Sequence, residues 1–184
     1  MTQTTLTRTK TYTLDPAHST ARFWVRHLMI AKVHGVISGI SGTVSMDVDR
    51  PEAASVAVEL DASTLATGQE QRDAHLKSPD FLDVERFPTI AFHSKQINQT
   101  GTGEYELIGD LTIRGATREV VLNAELTDEV ASPWGGYKIG ASATGVINRE
   151  DFGVTWNQIL ETGGVAVGKE VHLQIEAELD RPAD

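Results

Sequence analysis

Hydrophobic and polar residues alternate with a period of two along most of the chain. Around residues 44–48 and 56–60, for example, valine, methionine and leucine alternate with serine, alanine and acidic residues. Successive side chains of a strand point to opposite faces, so this pattern is typical of strands with one buried face. Eight segments carry it, over residues 22–26, 43–48, 55–60, 89–93, 104–113, 120–126, 137–147 and 171–179.

Turn residues separate these segments, and one stretch between the third and fourth segments has a different character. Glycine, proline and polar clusters at residues 49–51, 99–103, 114–116 and 133–136 predict mainly antiparallel neighbours joined by hairpins. Residues 69–77 lack β-branched side chains, follow a capping-box pair formed by Thr67 and Glu70, and stop before Pro79. The pattern predicts one short helix between strands three and four.

A sheet of eight strands with one apolar face must cover that face, and one short helix is not enough. Closure into a barrel covers the face and removes the sheet edges, whereas a two-sheet sandwich is the alternative and commonly uses fewer residues. The sequence therefore predicts an all-β, eight-stranded antiparallel barrel over residues 12–181, after a disordered tail over residues 1–11. Kinks in a long strand over residues 33–48 are assigned to Gly35, Gly39 and Gly42.

Composition excludes several classes of function. The 184 residues carry a net charge of −10, which disfavours nucleic acid as a partner. The absence of cysteine excludes disulfides, thiolate metal sites and thiol nucleophiles. No apolar run approaches the roughly 18 residues of a membrane span, and residues 1–11 contain no apolar leader segment, so we expect a cytoplasmic protein without a transmembrane segment.

Motifs for catalysis or metal binding are weak. Gly163, Gly168 and Lys169 have the spacing of a phosphate-binding loop, but a glutamate stands where serine or threonine is needed and a strand follows. His27 and His34 are close in sequence yet need not converge on a metal or haem. No nucleophile-elbow motif accompanies the nearby serines, Ser38, Ser41 and Ser45. We predict neither an enzyme nor a metal site, and no required cofactor.

Several blocks of sequence, taken together, resemble the YceI-like family. They are YTLDPAHS at residues 12–19, VRHL at 25–28, GISG at 39–42, the long block at 72–88, GDLTIRG at 109–115 and NREDFG at 148–153. The resemblance implies a bacterial, extended lipocalin-like barrel whose apolar interior holds a long isoprenoid or similar lipid tail. Many relatives carry a leader and work in the periplasm, and this sequence departs from them at its N-terminus.

The residues themselves leave two interpretations of the barrel interior. Small side chains on inward faces either leave a hollow or fit a tapering packed core, and they are Ala124, Ala141, Ala143 and Ala177 with Gly109 and Gly145. If the barrel is hollow, energetics favour a long ligand. Each buried methylene contributes about 0.8 kcal/mol, so one five-carbon isoprene unit contributes roughly 3–4 kcal/mol against about 4–15 kcal/mol lost on association.

The predicted function is binding of a long-chain isoprenoid lipid, either a polyprenyl chain or an isoprenoid quinone, for transport, storage or sequestration. Such a lipid or quinone could co-purify. The alternative is an accessory protein or enzyme of quinone and electron-transfer metabolism, and an exposed barrel wall leaves a homodimer open. The candidate ligand-binding residues are Phe23, Val25, Val44, Met46, Val58, Leu60, Phe92, Leu107, Leu111, Leu122, Ile139, Ala141, Ala143, Arg149, Phe152, Trp156, Leu173 and Ile175.

Two features at the predicted barrel mouth have alternative interpretations. Arginines beside turns, Arg72, Arg114 and Arg149, could receive a quinone carbonyl or phosphate head group, or form ion pairs such as Arg72 with Asp73 and Arg149 with Asp151. Residues 148–169 lack sustained periodicity and are long for a connection. Their apolar residues predict either a lid over the pocket or a loop on the barrel exterior: Phe152, Trp156, Ile159 and Leu160.

Overall fold

The computed structural model describes residues 9–47, 50–161 and 163–183. Nearly all of its regular structure is β-sheet. The strands are β1 (Thr9–Leu14), β2 (Thr20–His27), β3 (Ala31–Ile37), β4 (Ile40–Asp47), β5 (Arg50–Asp61), β6 (Thr89–Gly101), β7 (Glu104–Ile113), β8 (Ala116–Leu126), β9 (Val130–Ala131), β10 (Tyr137–Asn148) and β11 (Val167–Arg181). In this described part of the chain, one α-helix, α1 (Glu70–Lys77), and two 3₁₀ helices, Ala62–Thr64 and Arg149–Phe152, accompany them.

The strands close into a barrel with eight positions around its circumference. β1 and β2 follow one another along the same edge of β11, with Leu14 opposite Leu179 and Thr20 opposite Glu176. β3 pairs with β2, and β4 pairs with β1 and β5, so β3 and β4 together occupy the next position. Antiparallel pairing then continues through β6, β7, β8 and β10 and returns to β11. The prediction of an eight-stranded antiparallel barrel is confirmed.

The predicted place of the helix in the strand order is wrong, because α1 follows β5, the fifth strand of the chain. The alternation pattern missed β1 and did not separate β3 from the long strand expected over residues 33–48. β1 buries only Tyr12 and Leu14, and Gly35 interrupts the alternation of β3. The cap also differs from the prediction: the Gln69 side chain, rather than Thr67, accepts a hydrogen bond from the first turn.

Two other sequence expectations are corrected by the strand bounds. Thr9–Thr11 pair with β4, so the predicted tail does not extend to residue 11, and residues 1–8 lie outside the described residues. The long strand expected over residues 33–48 is divided into β3 and β4 at Ser38 and Gly39, and residue 48 lies outside the described part. The break is held by Gly39, whose backbone N–H donates to Thr64 Oγ1 at 3.0 Å.

The barrel has two distinct ends. At the "Glu129 end", β1 and β5 begin, β11 stops at Arg181, and Glu129 lies in the connection between β8 and β10. At the "helix end" lie α1, the 3₁₀ helix Arg149–Phe152 and the turn between β2 and β3. Within the described residues, no helix has the length and apolar character needed to span a membrane.

Candidate ligand-binding cavity

An apolar cavity of about 300 Å³ lies inside the barrel. Its wall is formed by alternate, inward-facing side chains of the strands and by side chains at the helix end. Among the forty described residues that line it, the polar ones are Arg22, Tyr105, Ser142 and Arg149, and the others are aliphatic residues, phenylalanine and Met46. The arrangement suits an apolar guest, because it offers few groups that could compensate the lost hydration of a polar one.

The structure brings sixteen of the eighteen candidate binding residues together on this wall. They are Phe23, Val25, Val44, Met46, Val58, Leu60, Phe92, Leu107, Leu111, Leu122, Ala141, Ala143, Arg149, Phe152, Leu173 and Ile175. The other two do not line the cavity. Ile139 is buried in the core opposite Leu179, and Trp156 lies behind Phe81.

Pairs of alanines explain why the interior is hollow. Ala143 lies opposite Ala124, Ala141 lies opposite Ala177, and all four line the cavity. Where two alanines face the interior from adjacent strands, neither side chain reaches the barrel axis. The structure thus agrees with the hollow interpretation at these positions.

The two inward glycines act differently from the alanines. A Cβ built on Gly109 would stand 2.6 Å from the Phe92 ring, and one built on Gly145 would stand 2.5 Å from Leu122 Cδ2. The neighbouring side chains therefore fill the room that these glycines leave. At Gly109 and Gly145 the structure thus agrees with the alternative interpretation, a packed interior.

Two segments outside the strands cover the helix end, and sequence reasoning recognised only one of them. Leu76, Phe81 and Leu82 come from α1 and the turn after it, while Phe152 and Val154 come from the segment after β10. Arg114 joins the two segments, since its guanidinium donates to the carbonyls of Pro79 and Gly153 at 2.6 Å each. The missed signal was the cluster of apolar residues just after the helix, which has no period of two.

These two segments together are called the cover. Trp156 packs against it from the side away from the cavity. Its ring centroid lies 5.2 Å from that of Phe81 and 4.7 Å from that of His75, and Phe81 itself lines the cavity. The first part of the predicted lid segment thus packs over the barrel end, whereas Ile159 is exposed and residue 162 lies outside the described residues. Opening and closing of this cover stays a prediction.

Arg149 is a buried cation whose hydrogen bonds go to backbone carbonyls. Its Nε donates to Gly168 O at 2.9 Å, Nη1 to Val154 O at 2.6 Å and Trp156 O at 3.0 Å, and Nη2 to Val167 O at 3.3 Å. Burial lowers its pKa, and the nearby Glu150 carboxylate partly opposes that shift. Arg149 therefore ties the cover to the start of β11.

The expected arginine ion pairs are replaced by other contacts. Arg149 contacts the carbonyls above rather than Asp151, whose carboxylate accepts from Asn148 at 3.4 Å. Arg72 donates to the Thr67 hydroxyl at 2.7 Å and the Thr67 carbonyl at 3.0 Å, while Asp73 accepts from the Thr67 backbone N–H at 2.8 Å. These arginines hold loops of the helix end in place.

A polar cluster closes the Glu129 end. The Glu129 carboxylate accepts hydrogen bonds from the fully buried Tyr12 hydroxyl at 2.5 Å, from Arg181 at 3.0 Å and from Lys10 at 3.1 Å. Burial and the hydrogen bond to Glu129 raise the pKa of Tyr12 to about 12. Burial alone would raise the pKa of Glu129, but the bonds from Tyr12, Arg181 and Lys10 outweigh it and lower this pKa to about 2.

The weak catalytic and metal motifs do not assemble. His34 lies opposite Trp24 and His27 opposite Ala31, so the two histidines do not share a site. Lys169 lies in β11 and pairs with Glu150 at 2.9 Å.

Comparison with known proteins agrees with the fold and the motifs. The model of the YceI-like domain matches residues 12–179. The chain belongs to the YceI-like family. Its relatives include the UPF0312 protein SA2479 of Staphylococcus aureus strain N315, which is 37% identical over 168 residues that cover 91% of this chain and 95% of that protein.

Solved structures share the YceI-like barrel. BcnA of Burkholderia cenocepacia superposes with a TM-score of 0.79 at 21% identity, covering 90% of this chain and 98% of BcnA. A polyisoprenoid binding domain from Saccharophagus degradans, implicated in plant cell wall breakdown, superposes with a TM-score of 0.66 at 13% identity, covering 93% and 98%. At these identities the comparison establishes the common fold.

Proposed function

We propose that this YceI-like protein binds the tail of a long-chain isoprenoid lipid, a polyprenyl chain or an isoprenoid quinone, and carries, stores or sequesters it. The observation that carries the proposal is the cavity of about 300 Å³ with an almost entirely apolar wall inside a closed barrel. An apolar cavity costs stability in proportion to its volume unless a guest fills it, so a cavity of this kind favours a binding role. The fold shared with a polyisoprenoid binding domain supports the same conclusion.

The shape of the cavity favours a single extended chain. On β11 alone, lining residues run from Val167 to Leu179, which is about 40 Å along the strand and about 30 Å along the barrel axis after allowing for strand tilt. The lining residues therefore extend along most of the barrel. A linear tail of several isoprene units matches this shape better than a compact metabolite.

The polar groups on the wall favour binding without chemistry. The Arg149 guanidinium donates hydrogen bonds to four backbone carbonyls, so it is poorly placed to polarise a quinone carbonyl. Arg22 and Ser142 alternate with inward residues of β2 and β10, so their side chains face away from the cavity, and Tyr105 comes from a third strand, β7. We therefore assign the protein to lipid binding in preference to enzymatic or accessory redox roles.

Native mass spectrometry of the freshly purified full chain, followed by organic extraction, tests the proposal directly. We expect a stoichiometric adduct that the extract identifies as an isoprenoid with several units, and redox difference spectra of the extract distinguish a quinone from a polyprenyl chain. A protein that is empty and also fails to take up added prenyl lipids would contradict the proposal.

Adjacent alanines on β5 offer a matched pair of variants. Ala54 lines the cavity, whereas its neighbour Ala53 is exposed. We expect Ala54→Phe to weaken prenyl-lipid binding by about tenfold or more, because losing contact with only two methylenes costs that much. Titration with a fluorescent prenyl lipid measures the effect. Ala53→Phe should bind like the unchanged protein, and equal effects of the two variants would place the lipid outside the barrel.

Removing the Trp156 side chain tests whether the cover controls release. We expect Trp156→Ala to lower the free energy of unfolding by about 1–2 kcal/mol and to speed lipid release, because Phe81 loses its support. Stopped-flow transfer of the fluorescent lipid to acceptor vesicles measures the release rate. The exposed Trp134 at the other end of the barrel provides the control, Trp134→Ala. A loss of stability with unchanged release would mean that Trp156 has a structural role alone.

A further inference from the structure

A group of large apolar side chains is exposed at the helix end. Leu28, Met29 and Ile30 form the turn between β2 and β3, and their exposed fractions are 37%, 58% and 78%. Ile159, 82% exposed, lies in the neighbouring segment, which approaches the turn where Leu28 N donates to Ala166 O at 2.8 Å. We call these four residues the apolar tip.

The backbone of this turn adopts a conformation that is unfavourable for the residues it contains. Leu28 and Met29 have φ values of 50° and 61°, in the left-handed region that turns usually fill with glycine or asparagine. Large side chains there destabilise the fold. Strain of this kind is typical of positions whose side chains serve another purpose.

The hairpin that carries the tip is basic in an acidic protein. No aspartate or glutamate occurs between Asp15 and Asp47, while Arg22, Arg26 and Lys32 do, in a chain whose net charge is −10. Arg26 and Lys32 flank the turn and are exposed. The overall negative charge repels an anionic surface, and this hairpin carries basic residues with no acidic residue of its own, so it is a part of the chain that such a surface can approach.

The geometry points to docking of the apolar tip into an anionic phospholipid bilayer, with Arg26 and Lys32 at the head-group phosphates. Insertion of a few apolar side chains beside basic residues suits a bilayer interface. A stable protein partner usually needs about 800 Å² on each side, which four side chains at the end of a hairpin do not provide.

The docking inference rests on the proposed lipid-binding function and adds the source of the lipid. Val25, which lines the cavity, lies three residues before Leu28, about 10 Å along β2. His27 at the end of β2 pairs with Val167, which also lines the cavity. A bilayer at the tip would therefore adjoin the covered end of the barrel, where a tail can pass between membrane and cavity.

Vesicle flotation with the full chain tests the docking. We expect binding to vesicles of phosphatidylcholine with one third phosphatidylglycerol, weaker binding to phosphatidylcholine alone, and a decrease with added salt. The variant Leu28→Asn/Met29→Gly relieves the strained turn, so its melting temperature should rise while its vesicle binding falls by about tenfold or more. The control Val130→Ser/Trp134→Ser removes exposed apolar side chains from the Glu129 end and should bind normally.

A second pair of variants tests the basic residues. Arg26→Gln should weaken vesicle binding by about fivefold, whereas Arg50→Gln at the Glu129 end should have little effect. Absence of vesicle binding, or equal binding by the tip and control variants, would overturn the inference. Self-association that depends on the tip, seen without vesicle binding, would overturn it in favour of a second copy of the chain.

Failure of docking is distinguishable from failure of the proposed function. The apolar tip does not line the cavity, so the lipid extracted from Leu28→Asn/Met29→Gly should have the same chemical identity as that of the unchanged protein, while its loading from vesicles slows. Lipid-filled protein that ignores vesicles would refute docking alone. Protein that never contains an isoprenoid would refute the proposed function, whatever the vesicles show.

Discussion

Replacing Arg149 with methionine is expected to lower the free energy of unfolding by about 3–5 kcal/mol. The side chain is buried and donates hydrogen bonds to the carbonyls of Val154, Trp156, Val167 and Gly168. Methionine fills similar volume but donates none of these bonds, so several carbonyls at the covered barrel end lose their partner. Urea denaturation followed by tryptophan fluorescence measures the loss.

Two further variants separate this hydrogen-bonding role from charge and bulk. Arg149→Lys keeps the charge, yet a single ammonium cannot span four carbonyls, so it should recover little of the stability. Arg118→Met removes an exposed arginine whose guanidinium contacts only the carbonyl of Thr117 among the described residues, and should cost less than about 0.5 kcal/mol. An Arg149→Met protein as stable as the Arg118→Met protein would show that the carbonyls find water instead.

The wall of the cavity could be predicted from sequence because strand alternation is a local property. Once the strands are recognised, inward residues such as Val58, Leu60, Leu173 and Ile175 follow from their spacing alone. β3 was not recognised as a separate strand, because Gly35 breaks its alternation. Ile139 was included by the same logic, and it shows the limit of the method, since an inward residue can be packed in the core without touching the cavity.

The two ends of the barrel could not be predicted in the same way. Phe81 and Leu82 cover the helix end from a turn, where no period indicates which side chain faces inward. The carbonyl partners of Arg149 come from residues up to nineteen positions away, and their convergence depends on the closed barrel. The position of Arg149 beside a turn suggested an ion pair or a head-group contact. In the structure, backbone carbonyls accept its hydrogen bonds instead.

The contacts of Glu129 at the opposite end of the barrel could not be predicted from the sequence either. In the sequence it is one acidic residue in a connection between strands. In the structure its carboxylate accepts hydrogen bonds from Lys10 and Tyr12 of β1 and from Arg181 at the end of β11. These residues are up to 119 positions away in the sequence. The cluster joins the first and last strands of the chain, so we expect it to contribute to closure of the barrel.

Replacing Glu129 with glutamine is expected to cost about 2–3 kcal/mol at neutral pH and to flatten the acid dependence of stability. The folded protein lowers the pKa of Glu129 to about 2 from an ordinary value of 4.5, so its contribution is complete above about pH 4.5 and is lost as pH falls toward 2. Urea denaturation at a series of pH values measures both effects. The exposed Glu125 on β8 gives the control, Glu125→Gln. If Glu129→Gln loses stability on acidification as steeply as Glu125→Gln does, other carboxylates cause the acid dependence.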